Sequence, residues 1–353
     1  MRLTAVNYFD DAARGWAPIE HMVGLCARLF GVDVARAPAV TRVSKLRKLG
    51  LMAFPTARDD AACEIYVARF PDDVVRFIDQ PGFHRPGRRR VLWMIDSYLT
   101  GWLPPTPLLR KFDVVGFTQH QDAELFRDRL GDRALWLGWG ADALDGGSAC
   151  GRRPVDVLRV GRQPEAWDDD DATAEACRRE GLSFAGRPPG DGPPDAAAHL
   201  RLSKDHYSQA KFVLASSNLV GPRNYTSATR EYITARWTDA LACGATVAGV
   251  PPRSDLALLD WPEALLDFGT IDFQANMAML REATAQWTPE VAKRNHLGAL
   301  RRLDWRWRFK AIADKLGLVS PTLEAEIARL RARIAELEAE LAPPAGAVST
   351  PGR

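Results

Sequence analysis

The stretch "TSATREYITARWTDALACGATVAGVPP", residues 226–252, decides how the chain is read. Four charged side chains, Arg230, Glu231, Arg236 and Asp239, come just before a small-residue run, "ALACGATVAGV". An apolar run bounded by Gly and Pro predicts a buried strand over "ATVAGV", 245–250. The segment before it predicts a helix over about 235–243, with Thr234 at its N-cap and Gly244 as its stop. Arg236 and Asp239 then lie three residues apart on one helix face. Charges beside a buried element need partners, either elsewhere in the chain or in a ligand.

Working outward, short apolar runs alternate with helical patterns. Strands are predicted at 3–9, 64–70, 74–79, 91–96, 113–118 and 134–139, with helices over 17–31 and 120–132. The Gly- and Pro-containing segment 140–154 reads as a linker. A second alternation follows through "VDVLRVGR", "DDATAEACRREG", "LSFAG" and "HYSQAKFVLASS". Strand–helix alternation of this kind means a mostly parallel sheet covered by helices. At 353 residues the chain exceeds what one core usually serves, so two α/β domains are expected, 1–145 and 150–320.

Past Pro321 the pattern changes. Leu323, Ile327, Leu330, Ile334, Leu337 and Leu341 recur at steps of four and three, an a/d seam. Ile at a and Leu at d favour a parallel two-stranded coil, in which Glu326 faces Arg331 and Arg333 faces Glu338 of a second chain. A parallel homodimer through 322–341 is therefore expected, with a heteromeric partner helix or a fold-back onto its own domain as alternatives. Residues 342–353 read as a disordered tail.

The net charge of +2 argues against bulk electrostatic binding of nucleic acid. Five scattered cysteines without a Cys-x-x-Cys give neither a disulfide framework nor a zinc site. No apolar run reaches the roughly 18 residues a membrane span needs. With no signal-peptide pattern at the start, a cytoplasmic location is expected, and a peripheral contact with the inner membrane face stays open.

The run 231–244 resembles the Glu-x7-Glu signature of retaining GT-B glycosyltransferases, with Asp239 in the second place. "ARWTDALACGATVAG" is similar to the CgeB-like, spore-maturation-type branch. "VLWMIDSY" (91–98), 112–142 and "LDWRWRFKAIADKLGL" (303–318) resemble further parts of that family in the same order. The resemblance implies two Rossmann-like domains facing across a cleft. It implies transfer of a sugar from a nucleoside-diphosphate sugar to a hydroxyl acceptor, a glycan or lipid-linked glycoconjugate, with no metal and no cofactor beyond that co-substrate. By resemblance Asp239 grips the ribose, although Asp reaches one methylene less far than Glu, and Glu231 lies near the transferred sugar.

The physical demands of such a substrate select further residues. Phosphates want cations and a helix N-terminus, which Arg162, Thr234 and Arg236 would supply. The basic residue expected soon after Arg162 is missing from "QPEAWDDDD", leaving Arg236 or Lys204 to provide a second charge. Asp96 ends a strand where a first-domain residue can orient or deprotonate an acceptor; an Asx cap is the alternative. His120 reads as a helix opening, and Asp168–Asp171 as a helix start rather than a metal site. Trp305 and Trp307 read as packing. A sugar-nucleotide epimerase and a non-catalytic subunit scaffolding a partner through the coiled coil are the competing readings.

Overall fold

The computed structural model describes residues 1–5, 14–36, 44, 46, 49, 62–80, 83, 88–187, 195–224 and 226–342. The predicted strand beyond Ala5 and the predicted tail beyond Ala342 lie outside the described residues.

The first sheet holds β1 (Arg2–Ala5), β2 (Val34–Arg36), β3 (Ala62–Ala68), β4 (Arg88–Met94), β5 (Val114–Phe117) and β6 (Ala134–Trp136). Its order is β2-β1-β3-β4-β5-β6, all parallel. Helices α1 (Ala17–Phe30) and α2 (His120–Leu130) belong to this half. The second sheet holds β7 (Val155–Arg159), β8 (Phe184–Ala185), β9 (Ala210–Leu214), β10 (Thr246–Gly249) and β11 (Leu265–Asp267). Its order is β11-β10-β9-β7-β8, also parallel. Around it run α3 (Asp170–Arg179), α4 (Ala196–Gln209), α5 (Ala235–Ala242), α6 (Phe273–Gln286) and α7 (Pro289–Arg302). As expected, two Rossmann-like domains, each built on a parallel sheet, face each other across a cleft.

Both sheets are covered on two faces, so their strands read as continuous apolar runs; Val91–Met94 and Val114–Phe117 are wholly buried. Strand order reverses between β1 and β3 in the first sheet and between β7 and β9 in the second. In open parallel sheets the crevice at the carboxyl ends of such a pair is where ligands bind.

The segment 74–79 is not the predicted strand but a short helix, Val74–Ile78. Asp73 accepts from the amides of Arg69 (3.1 Å) and Phe70 (3.0 Å), and Pro71 opens a helical turn there. Val74, Phe77 and Ile78 are buried at helical rather than alternating spacing. The predicted linker is packed rather than free. Arg153 donates to the carbonyls of Tyr207, Ala210 and Cys243, and the Ser148 amide donates to Ala242. Helix α8 (Trp305–Leu316) returns to the first sheet, where Trp305 meets Trp93 edge-on at 5.8 Å. Arg308 donates to the carbonyls of Gly138 and Trp139.

The coiled-coil expectation is corrected by α9 (Pro321–Leu341). Leu323, Ile327, Leu330 and Leu337 are buried within one chain, against α1, α7 and α8. Glu326, expected to face Arg331 of a second chain, instead accepts from Arg306 Nε at 2.9 Å. Arg301 pairs with Glu338, and Lys293 with Glu340. At the start of α9, Ser320 Oγ donates to the Leu29 carbonyl at the end of α1. An apolar trough on the same chain offers a far higher effective concentration than a second molecule does. The seam on which both the parallel homodimer and the scaffolding alternative rested is therefore occupied. Leu330→Ala is expected to lower unfolding free energy by about 2–5 kcal/mol in denaturant titrations. Unchanged stability, with light scattering showing the parent a dimer and the variant a monomer, would instead restore the intermolecular coil. No helix among the described residues is long and apolar enough to cross a membrane.

Candidate active site

A cavity of about 1000 Å³ lies between the two sheets at their carboxyl edges. The first half contributes Trp16, Phe70, Asp96, Tyr98 and Trp102; the second contributes Arg162, Arg187, Thr234, Arg236 and Asp239. The predicted residues of both halves thus meet at one cavity, with one exception taken up below.

The four charges of the deciding stretch have four different fates. Arg230 crosses to the first half and pairs with Asp122 of α2, which also accepts from Ser97. Glu231 accepts from Ser217 Oγ (2.6 Å) and the Arg253 amide (2.8 Å). Arg236 donates to the carbonyls of Val160 (3.1 Å) and Arg162 (2.7 Å), holding the loop after β7. Asp239 is only 4% exposed and lines the cavity, and its carboxylate has no hydrogen-bond or ion-pair partner among the described residues. Three charges are thus answered by the protein, and the fourth faces the cavity.

Local sequence explains this placement. Helix α5 spans 235–242 with Thr234 at its N-cap, as predicted. Thr234 makes no capping bond, and its buried hydroxyl has no partner among the described residues. The first amides of a helix have no intrahelical acceptor, so this end of α5 offers the cavity donors and a positive dipole. The small residues allow close approach: Ala240, Leu241 and Ala242 are fully buried, and His296 Nδ1 lies 2.7 Å from the Ala242 carbonyl. Gly244 adopts φ 81°, and a Cβ there would meet Arg153 and the Ser148 carbonyl, so the turn into β10 requires glycine.

Burial pushes the Asp239 carboxyl up to about 6, against the opposing charges of Lys204 and His21. Burial likewise pushes Asp96 up to about 7, partly offset by a hydrogen bond from Tyr98 and by the charges of Arg69 and Arg162. Tyr98 also stacks flat on Tyr232 across the cleft, with ring centroids 4.1 Å apart.

The Arg162 guanidinium lies 5.8 Å from the centre of the Tyr232 ring and makes no hydrogen bond or ion pair among the described residues. A second arginine, Arg187, beyond β8, lines the same cavity. Arg187 Nη2 donates to Asp168 at 3.2 Å. Asp168 also receives Arg159 and Arg223, Asp169 caps α3, and Asp170 pairs with Arg159. The acidic run is thus engaged by arginines and a helix end. Among the described residues no group of three His, Cys, Asp or Glu side chains could hold a metal ion.

Glu231 is the one predicted site residue that does not line the cavity. His120 opens α2, its amide donating to Asp255 across the cleft. Lys204 donates to the Asp142 carbonyl at 3.4 Å, outside the cavity wall. Sequence reading missed Tyr98, Tyr232 and Arg187. The tyrosines fall in irregular segments, and Arg187 follows a two-residue strand, so no periodicity marks them.

A carboxylate that accepts two ligand hydroxyls is replaced poorly by an amide, which can no longer accept both. Asp239→Asn is expected to weaken nucleotide binding by about 1–3 kcal/mol in calorimetry, while above pH 6, where the parent must bury a charge, the variant's unfolding midpoint rises above the parent's. Equal affinity in the variant would remove Asp239 from the site.

No protein-family model matches the chain, and no curated protein matches its sequence. Among solved structures, the chain is similar to Anabaena Alr3699/HepE in complex with UDP, at 13% identity and a TM-score of 0.47. That match covers 90% of this chain and 100% of the other. It is similar to the pneumococcal O-GlcNAc transferase GtfA with UDP and GlcNAc, at 11% identity, covering 74% and 57%, with a TM-score of 0.43. The lipopolysaccharide outer core galactosyltransferase WaaB gives 9%, 90% and 99%, with a TM-score of 0.45. At these scores the likeness adds no argument about activity, which rests on the cavity itself.

Proposed function

We propose that the protein is a glycosyltransferase that moves a sugar from a nucleoside-diphosphate sugar to a hydroxyl acceptor in the cleft between its domains. The observation that carries this reading is the pairing of opposite chemistries across one cavity. A partnerless buried carboxylate, a helix N-terminus and Arg162 stand on one side, and Asp96 stands on the other.

In this reading ionised Asp239 accepts both ribose hydroxyls. The first turn of α5, the Thr234 hydroxyl and Arg162 bind the diphosphate and stabilise the charge it gains as the sugar leaves. Arg236 acts through the loop it holds, keeping Arg162 in place. Glu231, tied to Ser217 and Arg253, fixes the segment carrying Tyr232. Asp96 orients the acceptor hydroxyl and takes its proton as the bond to the sugar forms. Retention of configuration is proposed from the likeness of 231–244 to the Glu-x7-Glu signature, and a glycan or lipid-linked acceptor from the CgeB-like likeness. The diphosphate is held by side-chain cations and backbone amides, so no metal is assigned a step.

The test is calorimetry against a panel of nucleoside diphosphates, followed by turnover of the matching sugar donors. Micromolar binding of one diphosphate is the expected result. No binding of any member at millimolar concentration would overturn the proposal.

A further inference from the structure

The wall of the cavity opposite the donor residues is aromatic. Trp16 stands just before α1, Phe70 follows β3, and Trp102 lies in the turn after β4. β1 and β3 are the pair between which strand order reverses, so this wall sits at the first sheet's own ligand crevice. The rings meet edge to face, Trp16 with Phe70 at 5.8 Å and Phe70 with Trp102 at 6.0 Å. Arg69 lies over Phe70 at 4.6 Å and toward Trp16 at 5.7 Å. Trp102 is different: it is 55% exposed while lining a cavity. An indole that stays half-exposed inside a hollow presents an apolar stacking face to the cavity.

The position of this surface relative to Asp96 is fixed by the backbone. The Asp96 amide donates to the Arg69 carbonyl at 2.9 Å, one residue before Phe70. Among the lining residues of the first half, Asp96 is the one that carries a carboxylate, and a ring lying on Trp102 shares the cavity with it. We infer that this aromatic wall is the acceptor subsite, and that the acceptor hydroxyl is carried on a pyranose ring whose C–H face stacks on Trp102. The inference rests on the glycosyltransferase reading. A pyranose presents one apolar face to an indole and keeps its hydroxyls toward the cleft, where Asp96 stands. An acyl chain would instead ask for a run of long aliphatic side chains, and this half lines the cavity with Trp16, Phe70, Tyr98, Trp102 and Trp139 against Leu99 and the short Ala17 and Pro18.

The test uses the full chain with methyl hexopyranosides as probes, 1-octanol as the aliphatic comparison and 4-nitrophenol as the aromatic one. Saturation-transfer NMR is expected to label the ring C–H protons of at least one pyranoside. Trp102→Ala is expected to weaken that binding about five- to tenfold, and Trp102→Phe to restore part of it. Nucleoside-diphosphate affinity, measured on the same samples, is expected to stay unchanged in both variants. Pyranoside binding indifferent to Trp102→Ala, or binding of octanol or nitrophenol with none of any pyranoside, overturns the acceptor assignment. Loss of diphosphate binding in the parent chain is a separate result, which strikes the nucleotide reading and not the stacking surface.

Discussion

Asp96→Asn is expected to cut turnover by about 10²–10⁴-fold, the range for a lost general acid–base group, while nucleotide affinity changes little. The separation follows from placement: Asp96 closes β4 in the first half, whereas the donor residues belong to the second. With its carboxyl pushed up to about 7, the base becomes available as pH rises, so wild-type turnover at saturating donor should climb through pH 7. The same shift has a cost in stability. Between the ordinary carboxyl range and pH 7 the folded chain still holds a proton that the unfolded chain has released. Stability therefore falls as pH rises through that window. Asp96→Asn removes the penalty, so the variant should be more stable than the parent at pH 8 and about equal to it at pH 4. An inactive variant with no gain at pH 8 would mean that Asp96 is not held in a desolvated site. Turnover within tenfold of the parent would take it out of the chemistry.

Much of this arrangement is legible in the sequence because it rests on local signals. The helix 17–30 with its Gly31 stop, and α5 between Thr234 and Gly244, follow from caps and periodicity. Asp96 is legible as the residue just past a strand and Asp239 as a residue on one face of a short helix, since position on a strand or helix fixes which crevice a side chain can reach. What is not legible depends on contacts between distant segments. The heptad pattern of 323–341 fixes an apolar face but not what covers it. The trough that does so is assembled from α1, α7 and α8, and Arg306 selects Glu326 by tertiary placement. Segment 74–79 has the composition of a strand. Asp73, by binding two amides upstream, turns it into a helix. The fate of Glu231 is of the same kind, because Ser217 and the Arg253 amide reach it from two other loops.

Arg162→Ala is expected to have the second large effect, about 10²–10³-fold on turnover, as for removal of one stabiliser of developing negative charge. Its guanidinium has no hydrogen bond or ion pair among the described residues and rests near the Tyr232 face, so it is free to bind an anion at little cost to the fold. Arg236, by contrast, is committed to the Val160 and Arg162 carbonyls, and its loss should disturb the loop and lower stability as well. Arg187 already donates to Asp168, and a diphosphate must compete with that carboxylate, so Arg187→Ala should cost less than Arg162→Ala. Arg162→Lys should recover only part of the loss, because an ammonium cannot reproduce the planar fork that meets two phosphate oxygens at once. The discriminating measurement compares nucleoside diphosphate with the nucleoside alone. Arg162→Ala should weaken the first and leave the second unchanged, since the residue addresses phosphate and not ribose or base. Equal weakening of both would mean that Arg162 shapes the cavity rather than binding the leaving group. No weakening of either would place the diphosphate elsewhere in the cleft.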